Sequence, residues 1–67
     1  MSETRTYTVT GMTCAHCVAS VTEEVQELDG VEAVDVVLET GLLTVTAPAV
    51  DDGAVRAAVE EAGYQLA

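Results

Sequence analysis

Polar and apolar residues alternate strictly from Arg5 to Thr10, with Tyr7 and Val9 on one side and Thr6, Thr8 and Thr10 on the other. A period of two in a stretch rich in β-branched residues predicts a strand with one buried face. Gly11 breaks the alternation, and after Cys14 the apolar positions move to Val18, Val21, Val25 and Leu28, the three-and-four step of one helical face. This predicts a first helix running to about Leu28. Its outward side carries Glu23, Glu24 and Glu27, and Gly30 stands where a left-handed C-terminal cap is expected.

A period of two returns at Val34, Val36 and Leu38, set against Ala33, Asp35 and Glu39, and again at Leu43, Val45 and Ala47. The intervening Glu39-Thr40-Gly41 makes these two runs a hairpin. Pro48 ends the second run, Asp51 or Asp52 can cap a second helix, and Val55, Ala58, Val59 and Ala62 form its apolar stripe up to Gly63. Tyr64 to Leu66 suffices for one short closing strand. The order β-α-β-β-α-β in so short a chain predicts an α+β, ferredoxin-like open-faced sandwich: a four-stranded antiparallel sheet with two helices on one face. Its inward faces would bring Tyr7, Val9, Val34, Val36, Leu38, Leu43 and Val45 against Val18, Val21, Val25, Leu28, Val55 and Val59.

The chain has 67 residues, which fits one domain over residues 1–67 and excludes a large enzyme core, since so small a unit buries only about 60% of its unfolded surface. Apolar residues at 49% exclude a disordered acidic tail, and the absence of Trp and Phe makes the core aliphatic. Twelve carboxylates stand against Arg5 and Arg56, with no lysine and a net charge of -10. Neither a phosphate backbone nor an anionic membrane finds a cationic face here, so no nucleic acid and no membrane are expected as partners. The carboxylates are scattered and read as a solvated surface, so a protein partner should present a neutral or basic one. No secretory segment follows Met1, and no apolar run approaches the ~20 residues of a membrane helix, so the chain reads as cytoplasmic. Two cysteines in a reducing compartment point to metal binding or redox chemistry.

Both cysteines fall in Gly11-Met12-Thr13-Cys14-Ala15-His16-Cys17, where strand gives way to helix. Three residues apart at a helix start, their sulfurs can face one point, and the free N–H groups and partial positive charge of that terminus favour thiolates. A soft, low-coordinate thiolate pair selects a soft cation, which in the cytosol is Cu(I), held nearly in line between the sulfurs. Three other readings of Cys-x-x-Cys fit less well. Closed tetrahedral zinc needs four ligands, and the chain offers Cys14, Cys17 and at most His16. A thioredoxin-type pair lacks its accompanying Trp and distant proline. A c-type haem motif needs His directly after the second cysteine, whereas His16 lies between the two.

The same segment resembles the Gly-Met-x-Cys-x-x-Cys loop of heavy-metal-associated domains. The resemblance covers nearly the whole chain, through the order of elements, Leu28-Asp29-Gly30-Val31 after the first helix, and Ala62-Gly63-Tyr64 before the last strand. Within that family the chain is most similar to free-standing bacterial copper chaperones of the CopZ type, where a His between the cysteines and a Tyr in the Gly-Tyr loop are common. The resemblance implies that Cys14 and Cys17 bind Cu(I), that Met12 is an apolar anchor beneath the loop, and that Tyr64 lies close to the metal. It implies a carrier and not an enzyme. Its acceptor would be a copper-transporting P-type ATPase with its own Cys-x-x-Cys, or a copper-sensing repressor. The chain would be a monomer whose exposed sulfurs also let copper bridge two copies.

Each remaining residue has a plainer reading beside it. Met12 is a core residue before it is a thioether ligand, His16 a solvated loop residue, and Tyr64 either a strand-edge aromatic or a shield over the metal. Thr13 occupies the place where zinc-preferring relatives often carry an acidic ligand, which favours monovalent copper. The chain departs from many copper chaperones in having Val18, Ala19 and Ser20, and no lysine, near the loop. Two alternatives stand beside the chaperone: a regulatory metal-binding domain excised from a transporter, and a thiol-disulfide oxidoreductase. Periplasmic mercuric-ion binding is disfavoured by the missing signal segment, and Met1 with an end at Ala67 suits a complete stand-alone protein.

Overall fold

The computed structural model describes residues 2–67; Met1, which the expected domain 1–67 includes, lies outside the described residues. The elements are β1 (Glu3–Thr10), α1 (Ala15–Gln26), β2 (Ala33–Val37), β3 (Leu42–Ala47), α2 (Asp52–Glu61) and β4 (Gln65–Leu66). The four strands form one sheet in the order β2-β3-β1-β4, and every neighbouring pair is antiparallel. The expected α+β sandwich is therefore the one observed. Both helices bury their apolar stripes against the sheet; the central cluster is Val9, Val21, Val25, Leu43, Val45, Val55, Ala58 and Val59, and Cys17 and Ala47 are buried as well.

Local chemistry accounts for most boundaries. Asp51 starts α2 by accepting hydrogen bonds from the Gly53 N–H at 2.9 Å and the Ala54 N–H at 3.4 Å, which satisfies donors that a helix start leaves free. α1 stops at Gln26, earlier than the apolar stripe suggests, because the Leu28 N–H bonds to the Val25 carbonyl and tightens the chain into a turn. Gly30 has the expected positive φ, of 82°, but serves the turn after the helix and not its cap.

Two inward assignments are corrected. β2 ends at Val37, whose carbonyl accepts from the Gly41 N–H at 2.8 Å, so the alternation stops one residue short and Leu38 lies in the hairpin turn, 39% exposed. In α1 the buried positions are Cys17, Val21 and Val25, while Val18 is only half-buried. The buried stripe steps back by whole turns of about 3.6 residues from Val25 through Val21, and the next inward place is Cys17.

The strand register decides which loops meet. Thr8 pairs with Leu42, Leu42 with Val37, and Thr10 with Gln65. One end of the sheet thus gathers the β1–α1 loop, the β2–β3 turn and the α2–β4 loop. The Val9 N–H ties the first to the second by donating to the Gly41 carbonyl at 2.7 Å.

Candidate metal centre

At that end Cys14 is the N-cap of α1, in extended backbone, and its side chain caps nothing. A position that usually holds Ser, Thr, Asp or Asn is given to a sulfur, and the N–H groups of the first turn are left to act on nearby negative charge. The Cys17 N–H bonds to the Cys14 carbonyl at 3.0 Å and fixes the first turn, which brings the two Sγ atoms to 3.6 Å. Cys14 is exposed and Cys17 is buried, at 8% exposure. The pair therefore has one fixed inner sulfur and one outer sulfur open to solvent.

Cys17 is held by more than its helix. The Thr13 N–H points at its sulfur from 3.5 Å, and the Thr13 hydroxyl lies 3.9 Å away. Its pKa is pulled down to about 6, first by the Thr13 N–H, then by the Tyr64 hydroxyl and by backbone and side chain of Cys14, with burial acting the other way. The Tyr64 hydroxyl is in turn pushed up by its contact with Cys17. The Tyr64 ring lies along the loop, where a Cβ at Gly11 would sit 3.6 Å from its Cδ1. Sequence reading gave Thr13 a role only through the absence of an acid; its N–H is four residues before Cys17 and just outside the helix, where a backbone donor is free to turn inward.

A depressed thiol pKa has a pH signature. In the metal-free, reduced protein, alkylation of Cys17 is expected to reach half its plateau rate near pH 6, against about 8.5 for an ordinary thiol. Because the folded-state value is the lower one, this group adds stability above the ordinary value and loses it as pH falls through about 6. Mass mapping of iodoacetamide label on Cys17 from pH 5 to pH 9 checks this; a midpoint at the ordinary value would mean the Thr13 and Tyr64 donors do not act on the sulfur.

The spacing of the pair limits what it can hold. With metal–thiolate bonds of about 2.3 Å, sulfurs 3.6 Å apart subtend roughly 100° at a shared ion. The in-line arrangement expected from the sequence would need them about 1 Å further apart at that bond length. Closing that gap falls to Cys14, which is on the surface and is the sulfur free to adjust, with an open flank on its exposed side. Among the described residues no group of three or more His, Cys, Asp or Glu side chains converges on one point. His16 is exposed on the first turn of α1, not in the loop. Met12 is half-buried against the core, the anchoring position expected of it.

A sandwich of this topology with a Cys-x-x-Cys pair at the first strand-to-helix junction defines a class of small metal-handling domains. The chain belongs to the heavy-metal-associated domain family, whose profile matches residues 6–65. It is similar to the copper chaperone CopZ of Bacillus subtilis (strain 168), with 45% identity over 67 residues, 97% of each chain. It is also 42% identical to part of a probable copper-exporting P-type ATPase of Archaeoglobus fulgidus, a match spanning 90% of this chain and 8% of the ATPase. Among solved structures, one described as CopZ metallochaperone superposes with a TM-score of 0.90 at 31% identity, covering 97% of this chain and all of the other.

Proposed function

We propose that this protein is a soluble, cytoplasmic copper carrier, a single heavy-metal-associated domain that holds Cu(I) between Cys14 and Cys17 and passes it to a Cys pair on a copper-transporting P-type ATPase. The observation that carries the reading is the asymmetric sulfur pair, 3.6 Å apart, with one member exposed. Two soft thiolates without a third ligand suit a soft monovalent ion and leave zinc short of its usual four ligands. A relative matched over nearly its whole length is a copper chaperone, which supports a carrier over a transporter's regulatory domain. No helix among the described residues is long and apolar enough to cross a membrane.

Transfer follows from the open flank. A thiolate of the acceptor forms a third bond to Cu(I); the bond to Cys14 breaks first, because that sulfur is the exposed one; the acceptor's second thiolate then displaces Cys17. Each acceptor thiol gives up a proton and each freed cysteine of the carrier can take one. Copper stays monovalent throughout, so no oxidant is needed. The donors on Cys17 keep it a thiolate, ready to bind, near neutral pH, and the same donors ease its departure as a thiolate in the last step.

The test is a protected handover. Reduced, Cu(I)-loaded protein is mixed with the Cys-x-x-Cys domain of a copper-exporting ATPase in the presence of a coloured Cu(I) chelator. Copper is expected to reach the domain faster than the chelator takes it from the carrier alone. Transfer no faster than capture by the chelator would remove the carrier reading. Turnover of a dithiol substrate with reversible formation of a Cys14–Cys17 disulfide would favour the oxidoreductase instead.

A further inference from the structure

An aspartate followed by glycine is especially prone to rearrange its own backbone, because a residue without a side chain leaves its nitrogen free to approach the preceding carboxyl carbon. The chain holds two such steps, Asp29-Gly30 and Asp52-Gly53, and the fold treats them oppositely. Asp52 opens α2, where its carboxylate accepts from the Tyr7 hydroxyl at 2.6 Å and lies 3.7 Å from Arg5. The Gly53 N–H is occupied as well, donating to the Asp51 carboxylate at 2.9 Å. Both reacting groups of that step are engaged, and the peptide between them is fixed inside a helix.

Asp29-Gly30 has none of these restraints. It is the centre of the turn Leu28-Asp29-Gly30-Val31, closed by the Val31 N–H on the Leu28 carbonyl at 3.3 Å. With φ of 82° at Gly30 this is a type II turn, whose central peptide stands outside the closing bond. Among the described residues the Gly30 N–H has no acceptor, and the Asp29 carboxylate has neither a donor nor a cation. Both residues are exposed, and a Cβ built at Gly30 would meet nothing within 4 Å. Glycine is equally at home at negative φ, so the central peptide can turn over from type II to type I while the closing bond stays made. Leu28 and Val31, on either side, stay packed against the core during that rotation, which swings the Gly30 nitrogen past the Asp29 carboxyl.

We propose that Asp29-Gly30 is a self-modification site, at which the folded chain converts Asp29 to an isoaspartyl residue and so creates a methyl-acceptor carboxylate. The Gly30 nitrogen bonds to Cγ of the protonated Asp29 carboxyl; the carboxyl O–H and the amide proton leave as one water, and a five-membered imide closes. Water then adds back. Attack at Cγ restores aspartate, whereas attack at the backbone carbonyl breaks its bond to the Gly30 nitrogen and leaves the chain running through the former side chain. One water is lost and one regained, so no oxidant or other co-reactant enters. The product carries a free carboxylate on the Asp29 α-carbon in an open turn, the group on which a carboxyl methyltransferase with a sulfonium methyl donor acts. The extra methylene lengthens the link between α1 and β2, so the modified chain is less stable. The Cys pair lies at the other end of a 12-residue helix, roughly 18 Å away, and is untouched.

The test is slow ageing of the reduced, metal-free chain in neutral buffer made with heavy-oxygen water, with fragmentation mass spectrometry locating both the isoaspartate and the heavy oxygen. Asp29 should acquire both. Asp52 should do so at least about tenfold more slowly, because its own hydrogen bonds and that of the Gly53 N–H must open first. In denaturant the two steps should react at similar rates. Gly30→Ala, whose methyl group crowds the attacking nitrogen, should suppress the reaction at Asp29 while circular dichroism reports a folded chain. An isoaspartyl methyltransferase with a labelled methyl donor should then label the aged chain and leave aged Gly30→Ala nearly blank. Equal rates at the two steps in the folded chain, absence of isoaspartate at Asp29, or undiminished methyl labelling of Gly30→Ala would each overturn the proposal.

Discussion

Replacing either Cys14 or Cys17 by serine is expected to lower Cu(I) affinity by more than about 100-fold, the upper end of what loss of an outer-shell partner costs a metal site. A hydroxyl is a hard donor that stays protonated at neutral pH, and with no third His, Cys, Asp or Glu among the described residues converging on the pair, none of these compensates. The two variants should differ in kind. Cys14→Ser leaves the buried sulfur with its Thr13 and Tyr64 donors and should retain one-sulfur binding that an added small thiol rescues. Cys17→Ser leaves an exposed sulfur without those donors, and the same thiol should rescue it less. Competition against a Cu(I) chelator, with Zn(II) in parallel and circular dichroism as a control on folding, measures both. Retention of native affinity in the two variants would remove the site from Cys14 and Cys17 altogether.

Most of the architecture was legible because it is written in two periods. Strict alternation at Tyr7 and Val9, and at Leu43, Val45 and Ala47, can bury one face only as a strand, and the core contains Val9, Leu43 and Val45 as that pattern requires. The stripe of Val55, Ala58 and Val59 behind an Asp cap can bury its face only as a helix, and it does. Errors arose where a period was carried past the end of its element. Leu38 keeps the alternation of β2 on paper, but the hydrogen bond between Gly41 and Val37 closes the turn before it. Val18 fits a four-position helical stripe equally well in the sequence, but the sheet sets the helix rotation so that Cys17 faces inward.

The Cys pair was legible as a pair, from spacing and from its place at a helix start. Its inequality was not. One sulfur is exposed and the other buried because Cys14 is the cap and Cys17 the first inward position of the same stripe that carries Val21 and Val25. That phase depends on packing against the sheet, which no local pattern specifies. The donors on Cys17 were hidden for a related reason: the Thr13 N–H is a backbone group common to every residue but proline, and Tyr64 arrives from a loop 47 positions later, brought across only when β4 pairs with β1.

Gly41→Ala is expected to unfold the protein more readily than any other single glycine substitution of the same size. Gly41 has φ of 72°, and a Cβ built there would lie 2.5 Å from the Val9 carbonyl oxygen, which belongs to the central strand and cannot swing aside like a side chain. Gly30 is the natural control, with φ of 82° and open space around its Cβ position. Gly30→Ala should therefore cost only the left-handed backbone strain, about 1 kcal/mol. Gly41→Ala adds a forced separation of β1 from β3, bringing the loss to about 3 kcal/mol. For a domain of this size that corresponds to a Tm lower by roughly 18 °C for Gly41→Ala and roughly 6 °C for Gly30→Ala. The separation falls on the Val9–Gly41 hydrogen bond, two residues before Gly11 and the Cys loop, so copper affinity should drop with stability in Gly41→Ala and remain native in Gly30→Ala. Thermal melts followed by circular dichroism, paired with the chelator titration, check both; equal melting temperatures for the two variants would show that β1 yields at Val9 and that the hairpin turn does not brace the metal end.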